Sequence, residues 1–214
     1  MRFKSLVDLM KGVLITFEGI DFSGKSVQAN FLHETLKAYN RPVLFLREPG
    51  GTDISEKIRT VLLDNENHEM SNITEVLLYS AARAQMVREN IIPHMEKGFT
   101  VICDRFFDST TAYQGFGRRI DLDFIKKLNN FATEELVPDL TFLIDLDPEI
   151  ALQRKKTELD RLEKEKLEFH QKVRNGYLEI AQSNAERFII IDGKQSIEII
   201  QQQVFMKVKS RLAL

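Results

Sequence analysis

FEGIDFSGKSV, Phe17 to Val27, is the stretch on which the fold turns. Gly19-Ile20-Asp21-Phe22-Ser23-Gly24-Lys25-Ser26 fits G-x-x-x-x-G-K-[ST] position by position. It follows an apolar run, Val13-Leu14-Ile15-Thr16-Phe17, and opens a segment whose Ala29, Leu32, Leu36 and Tyr39 share one helical face. Strand, glycine turn and helix in that order make a phosphate cradle. Glycines let successive N–H groups turn inward, and the helix N-terminus adds partial positive charge. In such a loop Lys25 reaches the β- and γ-phosphates and the Ser26 hydroxyl ligates Mg²⁺. Gly19 to Val27 are therefore the expected ATP contacts: Gly19, Ile20, Asp21, Phe22, Ser23, Gly24, Lys25, Ser26 and Val27. Three of them are unusual. Asp21 is an acid beside phosphates, Phe22 is bulky and apolar, and Val27 replaces the second hydroxyl that many such loops carry.

Four further apolar runs read as strands buried in a parallel sheet: Val43–Leu46, Thr100–Cys103, Leu140–Ile144 and Arg187–Ile191. Helical patterns lie between them, and one later face joins Leu162, Phe169, Val173, Tyr177 and Ile180. Alternating strands and helices predict an α/β fold in three layers with right-handed crossovers. Ligands of such sheets bind beyond the carboxyl ends of the strands. Those ends are polar here: Glu18-Gly19, Arg47-Glu48-Pro49-Gly50-Gly51-Thr52, Asp104-Arg105 and Asp145-Leu146-Asp147. Asp104, ending a strand, is the expected second metal-side group with Ser26, the alternative being a helix cap.

The 214 residues suffice for one well-buried domain and are short for two. A short leader over 1–12 and a single domain over 13–214 are expected, with a lid at about 153–163. Lys and Arg total 30 against 32 Asp and Glu, a net charge of -2 that argues against broad nucleic-acid binding. The single Cys103 excludes an intramolecular disulfide framework and suits a reducing compartment. No apolar run reaches the roughly 18 residues of a membrane span. The expectation is a cytoplasmic protein with neither membrane nor nucleic-acid partner. There is no Asn-Lys-x-Asp guanine motif, so length and rim chemistry favour a small kinase with an anionic acceptor over a GTPase.

Beyond the loop, REPGGT (47–52), LLYSAARAQ (77–85), DRFFDSTTAYQGFGR (104–118), PDLTFLIDLDPE (138–149) and LDRLE (159–163) follow in the order found in thymidylate kinases. Nearly the whole chain resembles that family. The resemblance implies a P-loop kinase fold with five parallel strands flanked by helices and a small helical lid. It implies ATP- and Mg²⁺-dependent phosphorylation of dTMP to dTDP, and a homodimer, for which Val76, Leu77 and Met86 offer apolar helical surface. On matching positions it implies that Asp21 meets the acceptor's sugar hydroxyl, Arg105 holds the dTMP phosphate and Pro49 shapes the wall beside the sugar. Arg47 is a second phosphate candidate, with a rim salt bridge as the competing role. Tyr79 stands where the family more often has the Phe that stacks on thymine. Arg83, one helical turn on, would hydrogen-bond the base, Thr110 and Gln114 would read its polar edge, and Tyr113 would crowd the 2′ position. The family draws its catalytic cation from the phosphate loop or the lid. Phe22 cannot serve, so the lid is the expected source, with Arg154 and Arg161 first and Lys156 in reserve. Lys25 and Arg105 complete the expected catalytic set. Asp192-Gly193-Lys194-Gln195 is the family's position for an adenine contact. Two rivals remain: a kinase for another acceptor, such as dUMP or a deoxynucleoside, and a nucleotide-binding module without catalysis.

Overall fold

The computed structural model describes residues 12–155 and 158–212. Five strands, β1 (Val13–Glu18), β2 (Val43–Arg47), β3 (Thr100–Asp104), β4 (Leu140–Asp145) and β5 (Phe188–Asp192), form one sheet in the order β2-β3-β1-β4-β5, every pair parallel. The predicted strands all appear, within a residue or two at their ends. Strands β1, β3 and β4 are almost wholly buried, as continuous apolar runs require, whereas the edge strands β2 and β5 are partly exposed. Register brings Phe17 and Arg47 opposite Asp104, so the ends of β1, β2 and β3 share one rim.

Nine α-helices connect and flank the strands: α1 (Lys25–Ala38), α2 (Asp53–Leu63), α3 (Asn72–Met86), α4 (Ile92–Glu96), α5 (Phe107–Thr110), α6 (Leu122–Thr133), α7 (Pro148–Gln153), α8 (Leu167–Ser183) and α9 (Ile197–Leu212), counted among the described residues. Wider π turns extend α3 over Val87–Ile91 and α5 over Thr111–Gly117. One apolar layer packs α1 and α9 on the sheet through Leu32, Leu36, Ile200, Val204 and Val208. On the other side Phe169, Val173, Tyr177 and Ile180 of α8 meet Leu143 and Tyr113. This is the expected three-layer arrangement.

Some details differ from the sequence reading. Tyr39 lies past the end of α1 and is half exposed, so it leaves the face formed by Ala29, Leu32 and Leu36. Leu162 is buried but precedes α8. Between Arg154 and Lys166 the described lid residues form turns rather than a helix, because Asp160 turns the chain by accepting the N–H groups of Leu162 and Glu163. Val76 and Met86 are fully buried in the core, and only Leu77 of that trio offers exposed surface. The chain before residue 12 and Lys156 lie outside the described residues.

Candidate functional site

The phosphate loop is shaped by two glycines that no other residue replaces cheaply. Gly19 has φ 137°, and a Cβ there would sit 2.6 Å from the Ile144 carbonyl oxygen. Gly24 has φ 100° and stands at the N-cap of α1 without a side-chain cap, so the Lys25 and Ser26 N–H groups remain available to an anion, while the Val27 N–H donates to the Gly24 carbonyl. No acidic side chain occupies that turn. Phe22 also has positive φ, 62°, and its ring packs beside the α8 layer, which gives the bulky residue a structural reason to be there.

Beyond the strand ends opens a cleft of about 450 Å³. It brings together Asp21, Phe22, Gly24, Lys25, Ser26 and Val27 from the loop with Arg47, Pro49, Tyr79, Arg83, Asp104, Arg105, Thr110, Tyr113, Gln114 and Arg154. Residues from five separate stretches of chain thus share one cleft. Arg161 is not on it.

Asp104 is buried at the end of β3, and its Oδ1 has no hydrogen-bond partner among the described residues. An orphaned carboxylate oxygen on a residue that lines the same cleft as Ser26 and Lys25 fits a hard cation that takes its remaining ligands from water and substrate phosphates. Lys25 is held below the usual ammonium range by burial and then by Arg105, against the pull of Asp21, Asp104 and Glu18.

Arg105 adopts φ 73° immediately after Asp104, which turns its side chain back over the loop. Its Nη1 donates to the Gly19 carbonyl at 2.8 Å, with the Tyr177 hydroxyl at 3.1 Å and Ser109 Oγ at 3.2 Å; Nη2 reaches Asp21 and the Tyr113 hydroxyl. Tyr113 in turn donates to Asp21 at 2.7 Å. Burial pushes the Asp21 carboxyl up, but Arg105, Lys25 and the Tyr113 hydroxyl outweigh it and hold Asp21 well below the usual carboxylate range. An acid beside a phosphate site is therefore compensated by its own cations.

Behind this layer lies Glu18, fully buried, a polar strand end to which the sequence reading gave no role. Its carboxylate accepts from the Phe106 N–H at 2.7 Å, Ser109 Oγ at 2.6 Å and the Tyr177 hydroxyl at 2.9 Å. It thus clamps both the peptide that follows the left-handed Arg105 and the two hydroxyls against its guanidinium. Burial, then the nearby Asp108, raises Glu18 to about 7 despite Arg105 and the hydrogen bonds. The signal was present in the sequence as a strand-end acid, but nothing there distinguishes a clamp from a ligand.

Arg83 is fully buried against Glu48, with Nε 2.7 Å from one carboxylate oxygen and Nη2 2.9 Å from the other. Nη2 also donates to Thr110 at 2.8 Å, and Nη1 to Asn129 at 3.1 Å. Of the five N–H groups in a guanidinium, one on Nη1 has no hydrogen-bond partner among the described residues, and Nε faces the Glu48 carboxylate. Arg47 pairs with Glu56 at 3.0 Å, the competing rim role, while still lining the cleft. Tyr79 projects from α3 into the cleft. Burial, with Glu75 and Asp160 nearby, pushes its phenol above the ordinary range, so it remains a neutral ring.

The two arginines expected in a lid part company. Arg154 lies on the cleft and donates to the Ser23 carbonyl at 3.4 Å and the Gly193 carbonyl at 2.9 Å, bridging the phosphate loop and the turn after β5. Arg161 instead pairs with Glu75 at 2.6 Å and donates to the Leu62 carbonyl. A fully buried carboxylate is a strong attractor for a nearby guanidinium. Arg59, Asp160 and Glu163 also line the cleft, with no role of their own in the sequence reading. Arg59 anchors on the Pro49 carbonyl at 3.0 Å. As charged residues in charged segments they read as solvated surface, and only the fold turns them inward.

The chain matches the family model described as "Thymidylate kinase" over residues 17–204. A thymidylate kinase from Thermoanaerobacter sp. (strain X514) is 45% identical over 204 residues, covering 95% of this chain and 100% of that protein. One from Carboxydothermus hydrogenoformans is 48% identical over 205 residues, covering 95% and 98% respectively. The crystal structure of thymidylate kinase from Ehrlichia chaffeensis superposes with a TM-score of 0.74 at 34% identity, covering 92% of this chain and 99% of that one. With the phosphate loop and the polar ends of the strands joined in one cleft, the chain belongs to the thymidylate kinase family.

Proposed function

We propose that the cleft binds ATP and dTMP together and transfers the γ-phosphoryl group between them, through the residues described here. The family catalyses phosphorylation of dTMP to dTDP with ATP as donor. The observation that carries the site assignment is Arg105. It stands between the phosphate loop, through Gly19 and Asp21, and the acceptor wall, through Tyr113. That is where an acceptor phosphate and the γ-phosphate of ATP have to meet.

Lys25 and the N–H groups of Gly24 to Ser26 bind the donor phosphates. Ser26 and Asp104 would hold Mg²⁺, which neutralises donor oxygens when bound. Arg105 binds the dTMP phosphate, whose oxygen attacks the γ-phosphorus. The bond from that phosphorus to the β,γ-bridging oxygen breaks, and ADP and dTDP result. The acceptor oxygen is already anionic, so no side chain has to remove a proton. The transition state is largely dissociative, leaving positioning and charge stabilisation as the protein's work. Arg154, already seated on the loop, is the lid cation placed for that task. Arg161 would first have to leave Glu75. Tyr79 stacks on thymine, Arg83, Thr110 and Gln114 read its edge, Pro49 walls the sugar, and Asp21 takes the 3′-hydroxyl beside Tyr113. Arg47 supplies charge at the rim.

The protein is proposed to work in the cytoplasm as a homodimer. Exposed Ile54 and Val61 on α2, Ile73 and Leu77 on α3, and Phe124 and Phe131 on α6 supply apolar surface for it. Among the described residues no helix is long and apolar enough to cross a membrane. An ADP-release assay with dTMP, dUMP and thymidine as acceptors tests the acceptor assignment. dTMP is expected to give the highest kcat/KM, and thymidine as best acceptor would refute it.

A further inference from the structure

Glu75 lies on α3 one helical turn before Tyr79, buried, and outside the cleft. Its carboxylate is full. Oε1 accepts from Gln114 Nε2 at 3.0 Å and Arg118 Nε at 3.2 Å; Oε2 accepts from Arg118 Nη2 at 3.2 Å and pairs with Arg161 Nη1 at 2.6 Å. Burial pushes this carboxyl up, but Arg118, Gln114 and Arg161 outweigh it, and it stays ionised through the neutral range. An ionised carboxylate only accepts, so it holds the NH₂ end of the Gln114 amide. Gln114 lines the cleft. With Nε2 committed to Glu75, its carbonyl Oε1 is the end left for a ligand.

We propose that Glu75 is a positioning residue for base selection. By fixing the Gln114 amide with its oxygen toward the cleft, it makes the site demand a base that donates at its facing edge. Thymine offers an N3–H there, whereas cytosine offers an N3 lone pair that would face the amide oxygen. A site that leaves buried polar groups mispaired rejects the wrong ligand far more strongly than a missing methyl group does. The inference rests on the reading that Gln114 meets the acceptor's base.

The arginines make the consequence of one substitution predictable. In Glu75→Gln the new amide keeps its oxygen at the Oε2 position, where Arg118 Nη2 and Arg161 Nη1 both approach, against the single arginine donor, Arg118 Nε, at the Oε1 position. Its NH₂ then takes the Oε1 position and faces Gln114, leaving the Arg118 Nε–H without that acceptor. Gln114 has to flip to accept from it, and its own NH₂ turns toward the cleft. The single change therefore shifts preference toward cytosine without touching a ligand-contacting residue.

The test measures kcat/KM for dTMP and dCMP at saturating ATP in wild type, E75Q, Gln114→Leu and the double variant. The expected result is a fall of at least about tenfold in the dTMP:dCMP ratio for E75Q, with dCMP improved in absolute terms and the change carried mainly in KM. In the Gln114→Leu background E75Q is expected to add nothing, because Glu75 acts through that amide. An unchanged ratio in E75Q, or an equal further drop in the double variant, overturns the proposal while leaving the dTMP kinase reading intact. A wild type that uses dCMP as well as dTMP overturns the reading of the base site itself. If E75Q does not fold, Glu75→Leu/Arg118→Met replaces it, removing the buried pair as a unit. There Gln114 loses its anchor, so the ratio is again expected to fall, and an unchanged ratio refutes the proposal.

Discussion

Asp21 shows how much of a site depends on compensation. Its place in the motif is plain in the sequence, but the reason it is tolerated is not, since Arg105, Lys25 and Tyr113 come from elsewhere in the chain or across a loop turn. Glu18 is the opposite case, an acid that burial and Asp108 raise to about 7 against an ordinary 4.5. Between those values the native protein holds a proton that the unfolded chain has released, so this group makes stability fall as pH rises from about 4.5 to about 7. Glu18→Gln abolishes that titration. Its melting temperature relative to wild type is expected to climb between about pH 5 and about pH 8, and a pH-independent difference would show that Glu18 does not titrate there. Arg83 carries a second prediction. Its replacement by Met strands the buried Glu48 carboxylate, for which a loss of about 3–5 kcal/mol in urea unfolding is expected. Val27 carries a third, because its side chain lines the cleft where a hydroxyl could bond a phosphate. Val27→Thr is expected to tighten ATP binding by up to about 1.5–3 kcal/mol, the worth of a hydrogen bond to a charged group. Unchanged affinity by calorimetry would show that valine there is no handicap.

At the scale of elements, the strands were the easiest part to read, because burial on both faces leaves continuous apolar runs. The α1 and α8 faces were also legible from their spacing, apart from Tyr39 and Leu162 at their ends. The lid was not. Its charges read equally well as a solvated helix, and only the partners distinguish Arg154, on the Ser23 and Gly193 carbonyls, from Arg161, drawn to Glu75. Val76 and Met86 were misread as surface because Glu75, Ser80 and Arg83 are buried on the same helix, while Ile73 and Leu77 are exposed, so no apolar stripe reveals its buried side. The lid prediction follows from the different partners. Arg154→Met is expected to lower kcat by about 10²-fold or more, the range for removing one transition-state donor, with little change in the melting temperature. If Arg154→Met and Arg161→Met both keep wild-type turnover in a coupled assay, the catalytic cation does not come from the lid.

Over the whole molecule, a parallel sheet with β1 at its centre gathers the ends of β1, β2 and β3 at one rim. The groups proposed for donor and acceptor, far apart in sequence, meet there. Sequence motifs named most of the cleft's wall, because the residue types expected at phosphate and base contacts are distinctive. They could not name Glu18, Arg59 or Glu75, which work by supporting other side chains and look like ordinary charges. The most direct test of the joined cleft is a crystal structure with dTMP and a non-hydrolysable ATP analogue. The account predicts the thymine ring on Tyr79, the acceptor phosphate on Arg105, and the donor triphosphate over Lys25 and Ser26. A pyrimidine bound away from Tyr79, or an acceptor phosphate out of reach of Arg105, would contradict it.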